Sequence, residues 1–138
     1  MLELARYPLA RLAERVGTPF YLYDAAVLRD RVTRLARLVD LPGAACRYSM
    51  KANSARRVLE TVRRGGLWID AASGNEAVRA IRAGFPGGAD PPVVMLATDV
   101  FRDNALEAAL EHRLLVSVGS PGMVRAMADA GAAGPIGV

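Results

Sequence analysis

The chain has 138 residues, 52% of them hydrophobic and 23% charged, which suits one globular unit and excludes extended disorder. It falls well short of the roughly 250 residues of a typical closed (β/α)8 barrel. The net charge of +4 permits an acidic partner, but aromatics are only 6% and the arginines are spread over helices without interleaved aromatics, so no nucleic-acid module is expected.

In chain order, Met1–Val16 mixes Arg6, Arg11 and Arg15 with Glu3 and Glu14 and lacks the apolar stretch of a signal peptide. Its second half, Leu9–Val16, reads as a short helix. Thr18–Asp24 (Thr-Pro-Phe-Tyr-Leu-Tyr-Asp) is a β-rich run that we assign to another layer. Asp24 then caps a helix with Leu28, Val32, Leu35 and Val39 on its apolar face and Arg29, Arg31, Arg34 and Arg37 mostly facing elsewhere.

From here short apolar runs alternate with amphipathic stretches, the pattern of successive βα units feeding a parallel sheet. Strands are expected at Arg47–Met50, Leu67–Asp70, Val93–Ala97 and Leu114–Val118, with a last one beginning at Ile136; their starts fall at intervals of roughly 20 to 26 residues. Ser54 is the expected cap of the next helix, with Ala55, Val58, Leu59 and Val62 inward and Gly65 as its stop. Ser73-Gly74-Asn75-Glu76 has capping-box spacing for a helix ending at Gly84. Asp103 is expected to open a helix packing through Leu106, Ala109 and Leu110, and Ser120-Pro121 one that stops at Gly131. A barrel and an open α/β sheet both fit this order. Gly134–Val138 reads as a loop entering a strand, and a strand cut short leaves unpaired backbone groups, so we expect a piece of a longer protein.

Val93–Ala97, the longest apolar run near the middle, is far below the roughly 20 residues of a bilayer span, so no membrane partner is expected. Cys46 is alone and has no Cys or His at metal spacing. It is read as a core residue, no metal site is expected, and a reducing cytoplasm is the default compartment.

Of the 18 basic residues, Lys51 is the only lysine. A general preference for arginine explains the others. The exception points to chemistry, because a desolvated lysine amine can lose its proton and attack a carbonyl, whereas a guanidinium in practice cannot. Lys51 follows the Arg47–Met50 run, which sets it at the carboxyl end of the first regular strand, the edge where parallel α/β folds hold their active sites. Asp70 ends the second strand on that edge; it is either a carboxylate near the Lys51 amine or the organiser of a turn. Ser73 and Glu76 read first as a capping box, with Glu76 able to serve a ligand as well, and Tyr48 reads first as packing. His112 reads as a solvent-facing residue favourable to its helix dipole.

Tyr48-Ser49-Met50-Lys51-Ala52-Asn53 resembles the Tyr-Ala-x-Lys-Ala-Asn stretch around the cofactor lysine of the alanine-racemase-like group of pyridoxal phosphate (PLP) enzymes. Thr18–Asp24 is similar to the Thr-Pro-x-x-x-Tyr-Asp opening of diaminopimelate and related decarboxylases. Ile69–Glu76 resembles their Val-Asp-x-x-Ser-x-x-Glu segment, and Ala97–Val100 and Val118–Ser120 also resemble the bacterial diaminopimelate decarboxylases. The likeness runs from Thr18 to Val138 in order and spacing.

The resemblance implies an N-terminal segment, 1–24, that lends a strand to a separate β-domain, followed by 25–138 as the truncated first half of a PLP-binding barrel, about four of its eight βα units. It implies Lys51 as the lysine that holds PLP by a Schiff base, with Asp70, Tyr48 and Glu76 as cofactor-binding candidates. It further implies decarboxylation of meso-diaminopimelate to L-lysine and CO2 by a complete, homodimeric enzyme acting on a small amino acid. Another decarboxylase, a racemase or a non-catalytic PLP-binding relative is the alternative. The family's Gly-rich phosphate loop, the acidic partner of the pyridine nitrogen and the late cysteine and tyrosine have no counterpart before Val138, so the isolated chain is expected to be inactive.

Overall fold

A computed structural model describes residues 6–38, 41–132 and 134–137. Two helices, α1 (Leu9–Val16) and α2 (Ala25–Leu38), precede strand β1 (Arg47–Ser49) and a 3-10 turn (Met50–Ala52). Then follow α3 (Arg56–Arg64), β2 (Trp68–Ala71), α4 (Gly74–Arg82), β3 (Val94–Thr98), α5 (Ala105–Glu111), β4 (Leu115–Val118), α6 (Pro121–Asp129) and β5 (Ile136–Gly137). The strands form one parallel sheet in the order β1-β2-β3-β4-β5. Strand order does not reverse among these five, as it would in a doubly wound sheet. Right-handed crossovers between sequential neighbours therefore stack α3 to α6 on one face.

Side-chain alternation makes that face apolar. Ile69, Ala71, Val94, Leu96, Val116 and Val118 point toward the helices and are buried, meeting Val58, Leu59, Val62, Ala77, Ala80, Ala105, Ala109, Met123 and Met127 in one core. The opposite face carries Arg47, Ser49, Trp68, Asp70, Met95, Ala97, Leu115, Ser117 and Gly137, all half-buried. Cys46 packs at the edge of the core.

The strands lie within a residue of expectation, and α1 is where the sequence placed it. Asp24 caps α2, its Oδ1 accepting from the backbone N–H groups of Ala26 (2.6 Å) and Val27 (3.1 Å). Its Oδ2 accepts from the Tyr7 hydroxyl and the Arg6 guanidinium. The Tyr7 hydrogen bond first, then the Val27 amide, hold this carboxyl well below the usual carboxylate range.

Thr18–Asp24 bends at Thr18 and Pro19 and joins no sheet among the described residues. Several other expectations are corrected. Leu35 is 40% exposed, so only Val32 of α2 is fully buried, and Ala55 at the start of α3 is exposed too; Val39 lies outside the described residues, as does Val138 of the last strand. The cap of α3 is Ala55, not Ser54: Asn53 Oδ1 takes the Ala55 amide (2.9 Å), while the Ser54 hydroxyl accepts from Arg79 (3.0 Å). Asn104, not Asp103, precedes α5, because Asp103 sits at φ 49° and turns the chain. His112 caps the carboxyl end of α5 and is half-buried rather than open to solvent.

Gly65 ends α3 where α2 crosses it, and any Cβ there would overlap Val32 Cγ1. We expect Gly65→Ala to lower stability by about 1–3 kcal/mol through overpacking, and Val32→Ala in the same chain to recover part of that loss. Denaturant unfolding of the single and double variants measures both; a Gly65→Ala chain as stable as the parent contradicts the close approach.

Candidate active site

Lys51 sits in the 3-10 turn directly after β1, exposed at the carboxyl edge of the sheet. The turn is fixed from both sides. Met50 is almost fully buried (1% exposed), and the Tyr48 hydroxyl donates to the Asn53 carbonyl at 3.0 Å, tying the strand to the residue just after the turn. Tyr48 pairs in register with Ile69 and so lies on the helix-covered face, away from Ser49 and Asp70. It shapes the turn that presents Lys51.

Asp70 is level with Ser49, two residues before Lys51, on the open face. Its Oδ1 is buried without a hydrogen-bond partner among the described residues. A buried carboxylate oxygen left unpaired is costly, so this atom is suited to a donor or cation brought by something else. Glu76 behaves differently: its backbone N–H donates to Ser73 Oγ (3.2 Å) and its Oε2 accepts from Ala72 N (2.8 Å). This reciprocal cap at the start of α4 is shifted one residue from the usual box.

The same edge gathers the amino ends of α3, α4, α5 and α6, whose orphan N–H groups and dipoles favour an anion there. Ser120 caps α6 from this edge, accepting from Met123 N at 3.4 Å. An apolar cavity of about 500 Å3 opens beside it, lined by Val118, Gly119, Ser120, Pro121, Val124 and Arg125. Among the described residues no three metal-ligating side chains come together, and no helix is long and apolar enough to cross a membrane.

Two residues of interest escaped the sequence reading. Arg47 lies on the open face, its guanidinium donating to the carbonyls of Ile69 (3.0 Å), Val93 (3.0 Å) and Pro92 (2.6 Å) and stacking 4.9 Å from the centre of the Trp68 ring. Its two-residue offset from Ser49 and four-residue offset from Lys51 were the available signal. Asn104 Oδ1 is also buried and unpaired, close against Gly74, where a Cβ would lie 2.7 Å from Ala105 Cα. Nothing in the sequence marked it.

Burial pushes the Tyr48 phenol above its ordinary value, because half-buried surroundings disfavour the phenolate. Tyr48 therefore adds stability below about pH 10 that is lost as pH rises through its folded-state value. We expect Tyr48→Phe to cost about 1 kcal/mol at neutral pH and to lose less stability than the parent between neutral and strongly alkaline pH. Denaturant melts across that range measure it; parallel pH curves for the two chains contradict the assignment.

A family model described as the pyridoxal binding domain of pyridoxal-dependent decarboxylases matches residues 26–136. The diaminopimelate decarboxylase of Streptomyces coelicolor is 34% identical over 128 residues, 93% of this chain and 28% of that protein. A crystal structure of a diaminopimelate decarboxylase superposes with a TM-score of 0.76 at 28% identity, covering 88% of this chain and 28% of the other. SrLDC, solved with PLP and cadaverine, gives a TM-score of 0.76 at 26% identity over 94% of this chain and 32% of its own. The chain thus spans between a quarter and a third of the length of these relatives. With its lone lysine at the carboxyl edge of a parallel sheet and its match across 26–136, it belongs to the pyridoxal-dependent decarboxylase family, as part of the pyridoxal binding domain.

Proposed function

We propose that this chain is the amino-terminal, cofactor-holding portion of a diaminopimelate decarboxylase, which as a whole protein releases CO2 from meso-diaminopimelate to give L-lysine. The observation that carries the reading is the juxtaposition of Lys51 with Asp70, whose buried Oδ1 has no partner among the described residues. The 34% identity to the Streptomyces coelicolor enzyme across 93% of the chain supports the substrate class proposed.

PLP fits these residues: Lys51 supplies the amine that holds it, and Asp70 supplies an unpaired anionic oxygen on the adjacent strand. When bound, the cofactor supplies an electron sink for the negative charge left as CO2 departs. Tyr48 and Asn53 hold the Lys51 turn in place. Met50, buried beneath, keeps the turn from lifting. The amino ends of α3 to α6 offer positive potential to the cofactor's phosphate.

In this reading residues 25–138 form the first part of a barrel whose later strands would cover the open face. Thr18–Asp24 takes its strand partner from a β-domain, and the complete enzyme is a cytoplasmic homodimer acting on a small amino acid. A decarboxylase acting on lysine is the second reading, favoured by the equal TM-score, 0.76, to the lysine decarboxylase from Selenomonas ruminantium.

Borohydride reduction of the chain mixed with PLP, followed by peptide mass mapping, tests the cofactor assignment. We expect one saturable pyridoxyl adduct on Lys51, absent from Lys51→Ala. An adduct confined to the terminal amine, or none, overturns it. The isolated chain is expected to release no lysine from diaminopimelate, and measurable lysine from the purified chain would contradict the division of labour proposed here.

A further inference from the structure

Arg47 donates three side-chain hydrogen bonds, yet it pairs with no carboxylate among the described residues. Its three hydrogen bonds all go to main-chain carbonyls near the amino ends of β2 and β3, and its plane lies over Trp68. Such anchoring fixes the charge in space, because a forked guanidinium on several acceptors loses the freedom an exposed arginine keeps. The charge is fixed on the open face. Arg47 pairs in register with Trp68, and Ser49 with Asp70, so Arg47 and Asp70 are diagonal neighbours on one face, one strand apart and two residues along, roughly 8 Å between Cα atoms.

Lys51 lies two residues beyond Ser49 in the other direction. Asp70, level with Ser49, therefore falls between Arg47 and the 3-10 turn that carries Lys51. Burial pulls the Arg47 guanidinium down from its ordinary value, and the Asp70 charge pushes it back up, so the two groups sense each other across this gap. Asp70 gains no hydrogen bond at Oδ1 in return.

We propose that Arg47 is a positioning residue for Asp70: its charge, anchored at the amino ends of β2 and β3, balances the carboxylate without bonding Oδ1, which stays available toward the group that Lys51 holds. The inference rests on the PLP reading for its meaning, but the charge coupling is a property of this chain alone. Arg47 acts through Asp70 and does not itself reach the cofactor edge.

A double-mutant cycle separates this role from a purely structural clasp. The clasp predicts that Arg47→Gln lowers the thermal midpoint equally with or without Asp70. Charge coupling predicts that Arg47→Gln costs about 3 °C more in the parent than in the Asp70→Asn background. Arg47→Lys, which keeps the charge and loses the fork, should retain most of that excess. Additivity within about 1 °C overturns the proposal. If Arg47→Gln shows no cooperative transition, the Arg47 Nε–Hε resonance decides: it should shift between the parent and Asp70→Asn, and an unmoved resonance overturns the proposal. No cofactor enters these measurements, so failure to label Lys51 sinks only the PLP reading, whereas additivity sinks only the role of Arg47.

Discussion

Strand register is the constraint on which the site depends. Successive side chains of a strand point to opposite faces, so a slip of one residue would carry Ile69, Ala71, Val94, Leu96 and Val116 out of the core and drive Asp70 and Met95 into it. Burying an unpaired carboxylate under helices would be costly, and exposing that apolar set would forfeit the main driving force for folding. The same preference that builds the core therefore places Asp70 on the open face beside Ser49. The polar geometry of the site follows from apolar packing on the reverse side of the same strands.

The residues around Lys51 divide the work by face. Tyr48 and Met50 reach into packed surroundings and hold the backbone, while Arg47, Ser49 and Asp70 line the open side. Because holding and acting are assigned to alternate positions of one short strand, the turn can be rigid without enclosing the lysine amine. Lys51 is exposed although its sequence neighbour Met50 is almost fully buried.

The order of elements was legible from periodicity and turn chemistry, and Lys51 from its uniqueness. Asp70 and Glu76 were legible as candidates, although only coordinates reveal that Glu76 is committed to a helix start while Asp70 Oδ1 lacks a partner. Local competition explains the misplaced caps. Two polar residues near α3, Asn53 and Ser54, offered themselves to one terminus, and Asn53 reached the Ala55 amide while Arg79 engaged Ser54. Arg47 was invisible because its partners are carbonyls of residues 22 to 46 positions away, and carbonyls belong to every residue. Thr18–Asp24 shows that strand propensity alone makes no strand without a neighbour.

Asp24 serves two masters, closing the first turn of α2 while gripping Arg6 and Tyr7. The amino-terminal segment consequently cannot peel away without competing for the oxygen atoms of the residue that starts α2. Whatever docks on or tugs at that leader is thereby mechanically connected to a helix that rests, through Val32 and Gly65, on the unit presenting the lysine.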